Sequence, residues 1–280
     1  MMNRSGTTDT DLSLLRLVPE VRRARGWRLY TVQGTRLTDL WQYGGAALLG
    51  HTPSLVLRDL KNTAERGLFV PFPHHLEQRF SKALSHLLPG RHFRLYADEG
   101  ALRSALAKAG YDAAVPFTDP AADGDGSAEA ISLWRPFLNT AFDETPILVP
   151  VLPMPWAPKV LALTPSLSQA FPDGDLISPV ILAAAARSIH DLVAVTPGRG
   201  TVPYHKLSRA LKKSPWRHRG IYLYHAHFFG NGQDREAYAA LFRRFLENGF
   251  LLPPDPAQPL ILPGELSPGE EAKLAGLLGN

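Results

Sequence analysis

The sequence has no cysteine. This excludes disulfides, thiolate nucleophiles and the zinc sets built on cysteine, and it fits the reducing cytoplasm expected for this chain. No apolar run reaches the length needed to span a bilayer. The opening "MMNRSGTTDTDLSLLRLVPEVRRARG" lacks a sustained apolar core followed by a cleavage site, so neither a leader nor a membrane partner is expected. Also missing are a G-x-S-x-G elbow, a Walker-type GK[ST] and a G-x-G-x-x-G after a strand, which removes the common serine-hydrolase, P-loop and dinucleotide signatures.

The 280 residues are 45% apolar, enough for one large or two modest folded units. The net charge is only +4 with a pI near 9.4, and the basic excess gathers in "EVRRARGWR" and in "HKLSRALKKSPWRHR", Lys206 to Arg219. Solvated helix faces account for such runs. Aromatic residues are not interleaved with the second run, so nucleic acid is not the expected partner.

Along the chain, "TDTDLSLLRLVPEV" carries a helix-start signal, and "WRLYTVQGTRLTDLW" reads as a hairpin turning at Gln33 and Gly34. "PSLVLRDLKNTAERG" and "HHLEQRFSKALSHLLPG" have helical periodicity. "HFRLYADE" reads as a strand and "GALRSALAKAG" as a helix. "DAAVPFTDPAADGDGSAEA" has the composition of a loop. "PILVPVLP" and "KVLALTP" are short apolar strands whose prolines point to edge strands or irregular chain. The last third alternates helix, strand, helix, strand, turn, strand and helix. "YHAHFF" sets His225 and His227 on one face of a strand, but no acidic or cysteine ligand lies nearby in sequence and no metal is expected.

Several of these segments, taken in order, resemble the class III aminotransferases, pyridoxal-phosphate enzymes of fold type I, in the branch of glutamate-1-semialdehyde aminomutase. "GTRLTDLWQYGGAALLGHTPSLVLRDL" is similar to the family's N-terminal segment, with Gly34, Asp39, Gly50, His51 and Pro53 in step. "SPVILAAAARSIHDL" is similar to the helix that follows the active site, and "AYAALFRRFLENGFLLPPDPAQPLILPGELSPGEEAKLAGLL" to the C-terminal unit. The resemblance implies an α/β fold, a reduced fold type I in which a truncated large domain accompanies a retained α+β small domain. The small domain is expected from residues 1–65 and 175–280, and the remnant of the cofactor domain from 66–174. Only residues 111 to 145 separate Gly110 from Pro146. A βαβ unit takes about 30 residues or more, so most of the family's large-domain units cannot be present.

Pyridoxal-phosphate chemistry needs a lysine for the Schiff base, a carboxylate at the pyridine nitrogen and donors around the phosphate. The family's lysine segment aligns with "PKVLALTPSLSQAFP", where the lysine position holds Pro165 and Lys159 stands six residues earlier. The aspartate position falls on Pro150 of "ILVPVL". The phosphate turn falls on "ADEGA", with Ala97, Asp98 and Glu99, whose carboxylates would repel a phosphate. The phosphate-reaching threonine falls on Gly174. The resemblance thus implies a degenerate relative with no catalytic residue and no cofactor, a homodimer that binds a partner protein or a small metabolite. Gly50, His51 and Thr52 lie in the bend the family places near the subunit interface and cofactor, and His74 and His75 of "PFPHH" head a helix where they could polarise a ligand group. Two alternatives stand beside this: an active pyridoxal-phosphate transaminase or aminomutase with its lysine at Lys206, Lys212 or Lys213, and a basic nucleic-acid-binding module built on Lys206 to Arg219.

Overall fold

The hairpin forms as its alternation requires: Leu29 and Leu37 point to one face and are buried, while Tyr30 and Arg36 share the other. The structure, a computed structural model, describes residues 13–122, 131–138, 142, 145–196, 204–228 and 234–279. Residues 8–12 of the expected opening helix lie outside the described residues; the remainder is only a short helical turn at 13–15, followed by turns that lead into the strand starting at Val21. The chain divides into one unit made of residues 1–52 and 199–280 and another made of residues 53–198. The expected boundaries differ from this division, because residues 53–65 and 175–198 carry helices that pack with the middle of the chain.

In the first unit, β1 (Val21–Arg25), β2 (Arg28–Thr31) and β3 (Arg36–Asp39) run antiparallel. The basic segment near the start is therefore an edge strand and not a helix face. After β3, residues 41–52 hold the Gly-rich bend, including a tight helical turn at Gln42–Gly45. The rest of the unit comes from the other end of the chain: α5 (His205–Leu211), β8 (Trp216–Arg219), β9 (Tyr222–His225), α6 (Arg235–Glu247), β10 (Phe250–Leu251), β11 (Leu260–Ile261) and α7 (Pro268–Leu278). The two chain ends join where β10 pairs in parallel with β3, completing the order β1-β2-β3-β10, beside a separate antiparallel sheet β11-β9-β8. A capping box at Ser267 and Glu270 starts α7. Glu270 also takes two hydrogen bonds from the Arg28 guanidinium, at 3.0 and 2.8 Å, and one from Thr38 Oγ1 at 3.2 Å. Chiefly through Arg28, this pulls its carboxyl down to about 2.

The second unit has three layers. Its sheet has the order β4-β7-β6-β5, with β4 (His92–Tyr96), β5 (Ile131–Trp134), β6 (Ile147–Pro150) and β7 (Lys159–Leu163). One face carries Leu95 and Val160 against α1 (Ser54–Ala64), α2 (His75–Leu87) and α4 (Pro179–Val195). The small residues Ala183 to Ala186, all buried in α4, let its neighbours approach, and Phe80 of α2 fills the space between. The other face carries Tyr96, Leu161 and Leu163 against Leu102 and Leu106 of α3 (Glu99–Lys108). Fully burying side chains of this size contributes about 1.5–3 kcal/mol each. At the far edge the buried Arg135 pairs with Asp119, Nη2 to Oδ2 at 2.6 Å, tying the loop after α3 to the end of β5.

Strand β6 is interior, which corrects the expectation from its prolines. Pro146 precedes it and Pro150 ends it, while its paired residues are Ile147 and Leu148 against β7, so neither ring removes a needed donor inside that ladder. The sheet is mixed: β5 and β6 are parallel, and β7 is antiparallel to both β6 and β4.

Candidate functional site

The residues aligned with the family's cofactor contacts all fall in the second unit, and its strand directions decide which meet. Tyr96 pairs with Lys159, so the end of β4 lies beside the start of β7. The end of β6 lies at that same end of the sheet, because β6 and β7 are antiparallel. Pro150, Lys159 and the β4–α3 turn at Ala97 and Asp98 thus share one end. Pro165 follows the other end of β7, exposed on a turn. Extending the register puts Pro150 level with Val160, five residues short of Pro165. At 3.4 Å per residue that is roughly 17 Å. A lysine at one position and a carboxylate at the other could not hold a single pyridine ring.

The β4–α3 turn is filled by the chain's own carboxylates. Asp98 caps α3, its Oδ1 accepting from Ala101 N at 2.8 Å. Asp175 Oδ2 accepts from Ala97 N at 2.9 Å. Glu99 accepts from Arg103 Nε at 2.9 Å. Two backbone donors at this helix start, Ala97 N and Ala101 N, are thus taken by the chain's own carboxylates, which also place negative charge where a phosphate would sit. Burial first, with Asp175 and Asp173 adding to it, pushes the Tyr96 phenol up.

Gly174 has a steric reason to be glycine. A Cβ there would stand 2.4 Å from the Leu95 carbonyl oxygen and 2.8 Å from its nitrogen. The segment lies along the free edge of β4, with Asp175 N donating to Leu95 O at 2.7 Å. Threonine does not fit this backbone. At the positions the resemblance assigns, the residues present offer no Schiff-base amine, no pyridine carboxylate and no phosphate-reaching threonine. Lys159 is exposed at the end of the sheet that holds the β4–α3 turn, and Lys206, Lys212 and Lys213 are exposed in and after α5.

In the first unit the motif residues do assemble. Asp39 is 2% exposed; its Oδ2 meets His51 Nε2 at 2.8 Å, and its Oδ1 accepts from Trp41 N at 2.9 Å and Gln42 N at 2.8 Å. His51 N donates to Gly26 O at 2.7 Å, and a side chain at Gly50 would press on the Gly26 backbone at 3.1 Å. The Asp39 carboxylate holds Gln42 and Tyr43 at positive φ, 48° and 50°, a conformation that costs on the order of 1–2 kcal/mol per residue. Gln42 Nε2 donates to Ile261 O at 3.0 Å and Trp41 Nε1 to Gln258 Oε1 at 2.8 Å, so this network joins both chain ends. The cluster is structural, and Thr52 at its margin is exposed. His74 and His75 belong to the other unit: His74 Nδ1 caps α2 by accepting from Leu76 N at 3.2 Å, and the two rings stand 4.2 Å apart.

The histidine pair of "YHAHFF" separates, because β9 ends at His225 and His227 falls in the turn beyond it. The His225 ring meets Trp216 edge-on at 5.0 Å, and burial, then His227 and Arg244, lowers its pKa. Among the described residues no group of three potential ligands could hold a metal ion, and no helix is long and apolar enough to cross a membrane.

No family model matches the chain. An uncharacterized protein of Treponema pallidum (strain Nichols) is 28% identical over 295 aligned residues, covering 89% of this chain and 91% of that one. An uncharacterized protein of Borreliella burgdorferi is 37% identical over 70 residues, a quarter of each chain. Among solved structures, the ornithine δ-aminotransferase of Plasmodium falciparum superposes with a TM-score of 0.65 at 12% identity, over 93% of this chain and 92% of that one. The acetylornithine aminotransferase of Elizabethkingia anophelis does so with a TM-score of 0.64 at 11% identity, over 97% and 98%. The ornithine aminotransferase of Toxoplasma gondii gives 0.63 at 13%, over 93% and 89%. The fold is that of these aminotransferases, in a shortened chain.

Proposed function

We propose that this protein is a catalytically degenerate relative of the class III aminotransferases that works as a non-catalytic binding or regulatory protein. The observation that carries this reading is the β4–α3 turn, where Asp98 and Asp175 occupy the Ala101 and Ala97 backbone donors and set negative charge where the resemblance would put a cofactor phosphate. The end motifs favour the glutamate-1-semialdehyde aminomutase branch as its origin.

The protein acts in the cytoplasm, a reducing compartment in which a chain without cysteine forgoes no disulfide. It acts as a homodimer, with the bend from Gln42 to Thr52 near the interface. The exposed Tyr43, stacked edge-on with Trp41 at 5.1 Å and held out by a strained backbone, supports that role for the bend. Static light scattering of the purified chain reads the mass directly: twice 30.7 kDa agrees with the dimer, and a single copy overturns it. The cofactor half of the reading is tested by adding pyridoxal phosphate and looking for a saturable yellow adduct. None is expected.

A further inference from the structure

We propose that the outer face of the β1–β2–β3 sheet is a binding site for single-stranded nucleic acid, with arginines taking the phosphates and the Arg23–Tyr30 pair offering a stacking platform. The sheet register builds the site from residues that are scattered in sequence. Across the strands, Arg23 pairs with Tyr30 and Tyr30 with Arg36, and in the adjacent row Arg25 pairs with Arg28. One face therefore carries four guanidinium groups around one aromatic ring. The Arg23 guanidinium carbon sits 4.4 Å from the Tyr30 ring centroid, so its outer side is free to stack on a base. Arg28 is committed to Glu270, and Arg36, half-exposed, reaches the same carboxylate at 3.4 Å. Arg23 and Arg25 are exposed.

A cleft of about 390 Å³ lies beside this row, lined by Arg22, Arg23, Tyr30, Thr31, Gly34 and Thr35. A second cleft of about 710 Å³ continues from Thr35 past Arg36 to Lys273; Glu247 and Glu270 also line it. The phosphate contacts are therefore assigned to the first cleft and the open arginine row. The charge of the two units points the same way. The unit that holds this face carries 18 lysines and arginines against 11 aspartates and glutamates, a net +7, while the other carries 12 against 15, a net −3. A chain whose total is only +4 thus concentrates its positive field on one unit. A membrane surface is disfavoured because the residues lining the first cleft include no large aliphatic side chain, Phe or Trp to insert.

The site is independent of the cofactor reading and its test does not touch that site. Anisotropy of a fluorescein-labelled dT20 and of U20 is measured with the full chain across a salt series, beside sedimentation with phosphatidylserine vesicles. Expected is saturable binding to at least one oligonucleotide, weakened at least tenfold by the triple change Arg22→Ala, Arg23→Ala, Arg25→Ala. The slope of log K against log salt should fall by about 2, at roughly 0.7 per phosphate contact on a single strand. The triple change to lysine should retain most of the salt slope, and Tyr30→Ala should weaken binding severalfold while Tyr30→Phe does not. Unchanged circular dichroism guards against misfolding, with the lysine variant as the folded control. No oligonucleotide binding would mean that the arginines only guard an edge strand against pairing, and this overturns the proposal. So would binding to vesicles alone, or a loss of binding to Lys212→Ala, Lys213→Ala equal to that of the arginine variant.

Discussion

Gly174 offers the sharpest handle on the segment that runs along the free edge of β4. Placing a methyl there sets it 2.4 Å from Leu95 O, at least half an ångström closer than real contacts allow, so the segment must retreat from the edge of β4. The retreat lengthens the 2.7 Å bond from Asp175 N to Leu95 O and draws Asp175 Oδ2 away from Ala97 N. Overpacking of this kind costs about 1–3 kcal/mol, a lost neutral hydrogen bond about 1 kcal/mol, and one to a carboxylate somewhat more. Gly174→Ala is therefore expected to cost about 3 kcal/mol, and Gly174→Thr, which restores the family's side chain, at least as much. Urea unfolding followed through the fluorescence of Trp134 and Trp156, both in this unit, reads the shift in midpoint. A Gly174→Thr variant within 0.5 kcal/mol of the parent would refute the reasoning, and would show that the absence of threonine needs another cause.

The Glu270 carboxyl, at about 2 against an ordinary 4.5, contributes stability that is fully present above pH 4.5 and is lost as the pH falls toward 2. Glu270→Gln should remove about 1–2 kcal/mol at neutral pH, allowing for partial solvent screening, and should flatten the acid limb of an unfolding profile; an unchanged acid limb would contradict the pairing with Arg28. Asp39→Ala should cost about 3–5 kcal/mol, because it strips the partner from His51 and two backbone donors at once in a buried site. Thermal melts of this variant and of His51→Gln, which keeps a donor, compare the two: the histidine change should cost less, and equal losses would deny Asp39 its role as the hub.

Much of this architecture could be read from sequence where side chains alternate cleanly. The β2–β3 hairpin, the Ala-rich α4 and the helices α1, α2 and α6 all declare a buried face. Strands β1 and β8 did not, because each is an edge strand with few inward residues: "VRRAR" and "WRHR" bury little beyond Ala24 and Trp216, and the rest reads as charged helix. Interior β6 was hidden by prolines that sit only at its ends. At the candidate site, Asp98 standing before an Ala-rich helix was a readable cap signal, which turns an apparent repulsive defect into a structural contact. No local signal announces that Gly174 will meet Leu95, or that Tyr30 will lie between Arg23 and Arg36, since both depend on pairings set by the tertiary fold.

The central claim is tested most directly by titrating the purified protein with pyridoxal phosphate, reducing it with borohydride and mapping the peptides. The account predicts no stoichiometric adduct, only scattered low-level modification of exposed lysines. A single lysine modified one-to-one and saturably, whether Lys159, Lys206, Lys212 or Lys213, would contradict it and name the residue of a working site.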